Sequence, residues 1–328
     1  MPLRRFMLLA NALAGFAALV VAQPPQLVVL NKEGMVAFVD LATRKIIAKA
    51  TTGGGPHEVA VTEDGKYAIV SNYESGRTLS VIDTASHKEV HRVDISPLNR
   101  PHGLFAAGGK IYFTAEGSGA IGRYDPVTDR IDWTKASGQN GTHMILVSGD
   151  RSRIFTTNMD SGSATIFLRD GSAGEAWRVT SVRAGAGAEG FDVSPDGKQL
   201  WVANGGDGTV SIIDIASARN IATLNVNTAR SNRLKFTPDG KRVLISDFGS
   251  GELVVLDVAS RKVTKRIHVG AGLAGLLVDA DGSHAYAAAT NDNFVAIVDL
   301  AKLEITGRIA TGIAPDGMDW LPVRTAGK

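Results

Sequence analysis

PHEVAVTEDGKYAIVSN, Pro56 to Asn72, holds a histidine, a short apolar strand, an Asp-Gly turn and a second strand that ends in asparagine. Asp-Gly supplies the positive-φ position a tight hairpin needs, so the stretch reads as two antiparallel strands. Its opening phrase returns six times, as PHGLFAAGGK, THMILVSGDR, AEGFDVSPDG, SNRLKFTPDG, LAGLLVDADG and PDGMDWLP. The second residues of the seven phrases are His57, His102, His143, Glu189, Asn232, Ala274 and Asp316, spaced by 45, 41, 46, 43, 42 and 42 residues. A period in the low forties marks a repeat architecture.

Each unit continues with a second apolar run ending in a polar residue, as in AIVSN, LWVAN and VLISD. A third run follows, as in TLSVID, TVSIID and ELVVLD, and then a fourth after an Asp-x-Ala-Ser turn, as in DTASHKEVHRV and DVASRKVTKRI. The apolar residues alternate or run for four to six positions instead of recurring at three and four, which argues against a helical repeat. Six full units extend from about Gly53 to Thr311. The N-terminal LVVLNKEGMVAFVDLATRKIIAKA has strands two to four without a first, and PDGMDWLP is a first strand without successors. The expected fold is all-β: a seven-bladed β-propeller with four-stranded antiparallel blades, its ring closed by pairing of the N- and C-terminal strands. One domain is expected over residues 23–328.

The first residues, MPLRRFMLLANALAGFAALVVAQPPQ, place Arg4 and Arg5 before an apolar run from Phe6 to Val21, then small residues and a polar stretch. That layout predicts a secretory signal peptide over residues 1–22, cleaved after Ala22, and a periplasmic or secreted mature chain. The run is shorter than the roughly 20 residues that cross a bilayer, so no transmembrane helix is expected after cleavage. Arg4 and Arg5 are its only charges, so the formal net charge of +2 falls to zero on cleavage, which argues against nucleic-acid binding. With no cysteine, the chain has no disulfide, no thiol nucleophile and no CxxCH site for c-type haem.

The strand endings AIVSN and WVAN, followed by TLSVID and TVSIID, resemble the YVTN type of β-propeller repeat. That group includes seven-bladed lactonases, surface-layer repeats, and the propeller domains of nitrous oxide reductase and cytochrome cd1 nitrite reductase. The resemblance implies the fold and leaves the function open.

Consecutive antiparallel strands return to the rim they left. The start of strand one and the end of strand two therefore share one face in every blade. An inner ring of the seven second residues is expected there, beside a second ring of Asn31, Asn72, Glu116, Asn158, Asn204, Asp247 and Asn291. Asparagine at a strand end closes the turn into the next strand, so most of the second ring is expected to be structural. Hairpin chemistry does not ask for three consecutive histidines. His57, His102, His143 and Glu189 form a candidate site for one transition metal ion: zinc, copper, iron or nickel. Glu116, beside His102 in the same blade, is a candidate base or support for a histidine, and Arg230 and Arg233 are candidates to meet an anionic ligand across the mouth. His87, His91, His268 and His284 are expected at the surface.

The expected function is a cell-envelope binding or scaffold protein, monomeric, engaging a small molecule, a metal or a protein partner at the channel face. The alternative is a lactonase-like hydrolase or lyase using a His/Glu metal site on that face, with Arg230 or Arg233 holding the developing oxyanion. A redox role, by resemblance to the reductase propellers, lacks their fuller sets of metal ligands.

Overall fold

The computed structural model describes residues 26–74, 76–171 and 176–322. The expected signal peptide, residues 1–22, lies outside the described residues. Among those residues no helix is long and apolar enough to cross a membrane.

Twenty-eight strands form seven four-stranded antiparallel sheets. Their innermost strands are Pro56–Val61, Pro101–Ala107, Thr142–Val147, Ala188–Val193, Ser231–Phe236, Leu273–Val278 and Pro315–Leu321. The last of these pairs with Gln26–Asn31, setting Leu27 opposite Trp320 and Val29 opposite Met318. Both ends of the described chain thus share one blade, and the ring closes as expected.

Burial follows strand position. Second and third strands are sandwiched between neighbouring blades, so Ala68, Ile69 and Val70 are buried in succession and the run is continuously apolar. Outer strands cover one face only, and Lys45–Thr51 alternates exposed and half-buried positions with the period of two that a pleated strand dictates. Each core cluster joins two sheets; Leu244 and Val255 of one blade meet Leu276 and Ala287 of the next. Each such Leu or Val contributes roughly 1.5–3 kcal/mol when fully buried.

The turns behave as their residues dictate. Gly65, Gly197, Gly240 and Gly282 have φ of 68°, 69°, 68° and 71°. Asp64 accepts hydrogen bonds from the Thr62 hydroxyl at 2.6 Å and the Lys66 amide at 2.9 Å. Asp83 accepts from the amide and hydroxyl of Ser86, both at 2.7 Å. His87 ends that turn at φ 55° and packs edge-on against Phe38, so it is half-buried and not a plain surface residue. His91 and His268 are exposed, and His284 pairs with Asp279 at 3.1 Å.

Two local features position the channel face. Every inner strand carries a bulge after its first residue: Pro56 faces Asn72 and Val59 faces Val70, three steps against two. The bulge bends the strand and re-aims residues two and three. Inner strands also approach so closely that position three is glycine in four blades. A Cβ on Gly190 would lie 2.3 Å from the Asn232 carbonyl oxygen, and one on Gly275 1.9 Å from that of Asp316.

Candidate functional site at the histidine mouth of the channel

A hydroxyl near the end of strand two anchors the inner ring. Thr114 accepts the Gly103 amide at 2.8 Å and donates to the His143 carbonyl at 2.6 Å in the next blade. Ser71 likewise accepts the Glu58 amide at 3.0 Å, and Ser246 the Arg233 amide at 2.9 Å. The histidines are thus held by backbone bonds within and between blades.

Position two of the inner strands lines a cavity of about 250 Å³ at this mouth, with Lys32, Tyr73, Glu116, Met159, Arg230 and Phe248 at its sides. His57 Nδ1 lies 3.2 Å from His102 Nε2, and the His102 ring stacks on His143 with centroids 3.7 Å apart. His143 Nδ1 bonds Glu116 Oε2 at 2.8 Å, while its Nε2 faces Glu189 Oε1 at 3.7 Å. The Tyr73 hydroxyl donates to Glu116 Oε1 at 2.8 Å, and Arg100 reaches the same oxygen at 3.2 Å. Glu116 lies one residue past the strand-end position of the other blades, which Ala115 fills opposite Pro101, and it opens a one-turn 3₁₀ helix, Glu116–Ser118, that Gly119 terminates in the left-handed conformation.

Burial and charge set the protonation states. Burial, reinforced by Lys32, pushes His57 down to about 4. His102, 3% exposed, is driven well below the usual histidine range by burial and by its histidine neighbours. For His143 burial acts in the same sense, but the carboxylates of Glu116 and Glu189 overcome it and hold the ring above its ordinary value. The two carboxylates thus favour the protonated form of His143, whose ring is stacked on a neutral one. Asp316 is held below its ordinary value: burial opposes this, but Lys32, 2.9 Å away, prevails with help from Arg233.

Arg233 lines the histidine cavity, but as a buried residue. It is 5% exposed and forms a buried ion pair with Glu58, from an inner strand on the far side of the channel. The bulge points position three inward, and these two side chains meet where other blades have glycine. The guanidinium also lies 3.6 Å from Glu189 and bonds Asn232 at 3.1 Å, so it steers the carboxylate beside His143. Arg230 is exposed at the lip and stacks over Phe248 at 5.0 Å.

The second ring divides. Asn72, Asn158 and Asn204 are fully buried and bond the Ser and Thr hydroxyls of the third strand; Asn204 reaches Thr209 at 2.8 Å and Ser211 at 3.0 Å. Asp247 caps the amides of Ala229 and Arg230, both at 2.8 Å. Asn291 is exposed within a second 3₁₀ turn, Thr290–Asp292. Glu116 is the member of this ring that bonds a histidine.

The family model described as YNCE-like β-propeller matches residues 10–110 and 107–282. The chain belongs to that family. No curated protein matches it. Among solved structures, this YNCE-like propeller is similar to a putative 6-phosphogluconolactonase from Bacteroides uniformis: TM-score 0.76, 15% identity, 91% of this chain and 100% of that one covered. Kuenenia stuttgartiensis hydrazine synthase gives a TM-score of 0.74 at 19% identity over 90% of this chain and 100% of that one. The dihydro-haem d1 dehydrogenase NirN gives 0.64 at 13% identity over 92% of this chain and 78% of that one. At these identities the likeness is one of fold.

The YNCE-like chain brings His57, His102, His143 and Glu189 together around one cavity, but not as a converging donor set. Two nitrogens bound to one tetrahedral zinc lie about 3.3 Å apart, so the 3.2 Å between His57 and His102 matches one edge of such a site. His143 is turned to Glu116, and its stacked ring presents its in-plane nitrogens alongside those of His102 instead of toward a shared point. Among the described residues no three His, Asp or Glu side chains stand in a metal-holding arrangement. Sequence reading missed Lys32, Glu58 and Tyr73. For Glu58 and Arg233 a signal was present: opposite charges at an inner-strand position that is otherwise mostly glycine.

Proposed function

We infer that this YNCE-like propeller is an exported, monomeric binding protein of the cell envelope that takes a small polar ligand at the histidine mouth. The carrying observation is that three buried polar atoms of residues lining this cavity make no hydrogen bond: His102 Nδ1, Asp316 Oδ1, and His143 Nε2, which has only the Glu189 carboxylate at 3.7 Å. Buried polar atoms without partners are rare, and where they gather at a cavity they mark an exchangeable partner. The volume, about 250 Å³, suits a small metabolite or a hydrated ion better than a macromolecule. The leader-like N-terminus supports export, and the neutral charge expected after cleavage disfavours nucleic acid.

The test is a thermal-shift screen, followed by calorimetry, with small polar metabolites and with zinc, copper, iron and nickel salts. A ligand that binds the parent, and is lost in both His102→Ala and His143→Ala, supports the reading. Binding that survives both substitutions overturns it.

The hydrogen-bonded pair of His143 and Glu116 favours a second reading, a lactonase-like hydrolase with His143 as proton donor to the leaving alkoxide and Glu116 orienting it. Lactone hydrolysis lost in Glu116→Gln supports that reading. No turnover across a lactone panel removes it.

A further inference from the structure

The Glu58–Arg233 pair spans the channel between strands 175 residues apart and separates it into two chambers. Above it lies the histidine cavity. Below it, positions three to six of the inner strands enclose a larger space of about 410 Å³ that opens toward the opposite rim. The chemistry of the two differs sharply. The lower walls carry Phe105, Met144, Leu146, Leu277 and Trp320, each half-buried and presenting apolar surface to the chamber.

Two cations line this chamber, and one of them, Arg233, is held by Glu58. Lys235 lines the chamber, and among the described residues its ammonium makes no ion pair and no hydrogen bond. The nearby carboxylates are already engaged. Asp192 accepts the amides of Val193 and Phe236, both at 2.9 Å, and Asp319 accepts those of Trp320 and Val61, both at 2.8 Å. These bonds tie neighbouring inner strands together. Burial pushes both carboxyls up, Asp319 to about 6, while the nearby Lys235 charge draws both down without forming an ion pair. Glu63, at the chamber's edge, accepts the Gly109 amide at 2.7 Å. A half-buried ammonium above an apolar wall is the pairing that recognises an anionic head on an apolar body.

We propose that the lower chamber is a second binding site, distinct from the histidine cavity, for a small carboxylate with an apolar body, its head on Lys235 and its tail against Phe105, Met144, Leu277 and Trp320. The Glu58–Arg233 pair lies at the boundary of the two cavities, and Arg233 lines both.

The probe is octanoate, titrated into the purified protein and followed by calorimetry and by the methyl NMR signals of Met144, Met318 and Leu277. Saturable binding that shifts those methyls is expected. Lys235→Met should weaken it by about tenfold or more, since a charge-assisted hydrogen bond contributes roughly 1.5–3 kcal/mol. 1-Octanol should bind the parent correspondingly less well, Ala106→Trp should block the chamber, and His102→Ala should leave octanoate binding unchanged. The methyl shifts locate the ligand in the parent even if Ala106→Trp fails to fold. Absence of saturable octanoate binding, equal affinity in Lys235→Met, or loss of binding in His102→Ala would each overturn the proposal.

Discussion

Two rings share the histidine rim, and they differ in how faithfully they repeat. At the end of strand two, Asn72, Asn158 and Asn204 are buried and bond third-strand hydroxyls of their own blades, the same job done three times, while the buried Asp247 caps loop amides of its own. Position two of the inner strands changes identity around the ring, and there the side chains face one another and a cavity. Repetition in this molecule marks what each blade needs to fold. Departure from it marks what the assembled ring does. Glu116 illustrates the rule one residue beyond that position, since its blade has Ala115 where Asn72, Asn158 and Asn204 stand and turns the following Glu116 toward His143.

The sharpest way to break this comparison is at position three. Arg233→Leu leaves Glu58 buried without its partner and should cost about 3–5 kcal/mol in urea unfolding. A Glu58→Met/Arg233→Met double variant should recover most of that loss. A single-variant cost under about 1 kcal/mol would mean the pair is not the buried ion pair described here.

Next comes the repeating ring. Asn204→Ala strands the Ser211 hydroxyl and the Gly185 amide, and should cost about 1–3 kcal/mol. Its histidine NMR spectrum should stay that of the parent, which would separate folding residues from site residues.

Glu116→Gln should do the reverse, with little change in stability but a lower titration midpoint for His143, read by NMR. The pH dependence has a definite sign. His143, raised in the fold, contributes stability that is full below its unfolded value of 6.5 and is lost as pH rises through the raised folded value. His57, lowered to about 4, acts oppositely: the unfolded chain takes up its proton first, so stability falls as pH drops from 6.5 toward 4. His57→Gln should flatten that acid limb in unfolding curves recorded across this range. The smallest effect belongs to the exposed outer strand, where His268→Ala should stay within about 0.5 kcal/mol of the parent and leave every cavity signal in place.

The fold was legible because the chain states it seven times. Asp-Gly turns, β-branched runs and strand-end asparagines recur at one period, and each obeys local chemistry that does not depend on the rest of the ring. The gathering of His57, His102 and His143 was legible for the same reason, since equal positions in consecutive blades must be neighbours. What they do on meeting was not. Whether His143 turns to a metal or to Glu116 is decided by rotamers and by the 3₁₀ turn at Glu116–Ser118, which no single repeat encodes. Arg233 was read as a cation free to meet a ligand, although the glycines at position three of four other blades mark that position as one the bulge swings inward. Its partner Glu58 lies three blades away across the channel, and a repeat alignment reports neighbours, not residues that face each other over an axis.

The central claim is that the departing residues at the histidine rim form one ligand site. It is tested most directly by long-range ¹⁵N–¹H NMR of all seven histidine rings, recorded while the protein is titrated with zinc and with the polar ligands that shift its melting temperature. The account predicts that His57, His102 and His143 change together, saturably, while His91, His268 and His284 keep their free-state tautomers and shifts. No change in the three, or equal change in all seven, would contradict it.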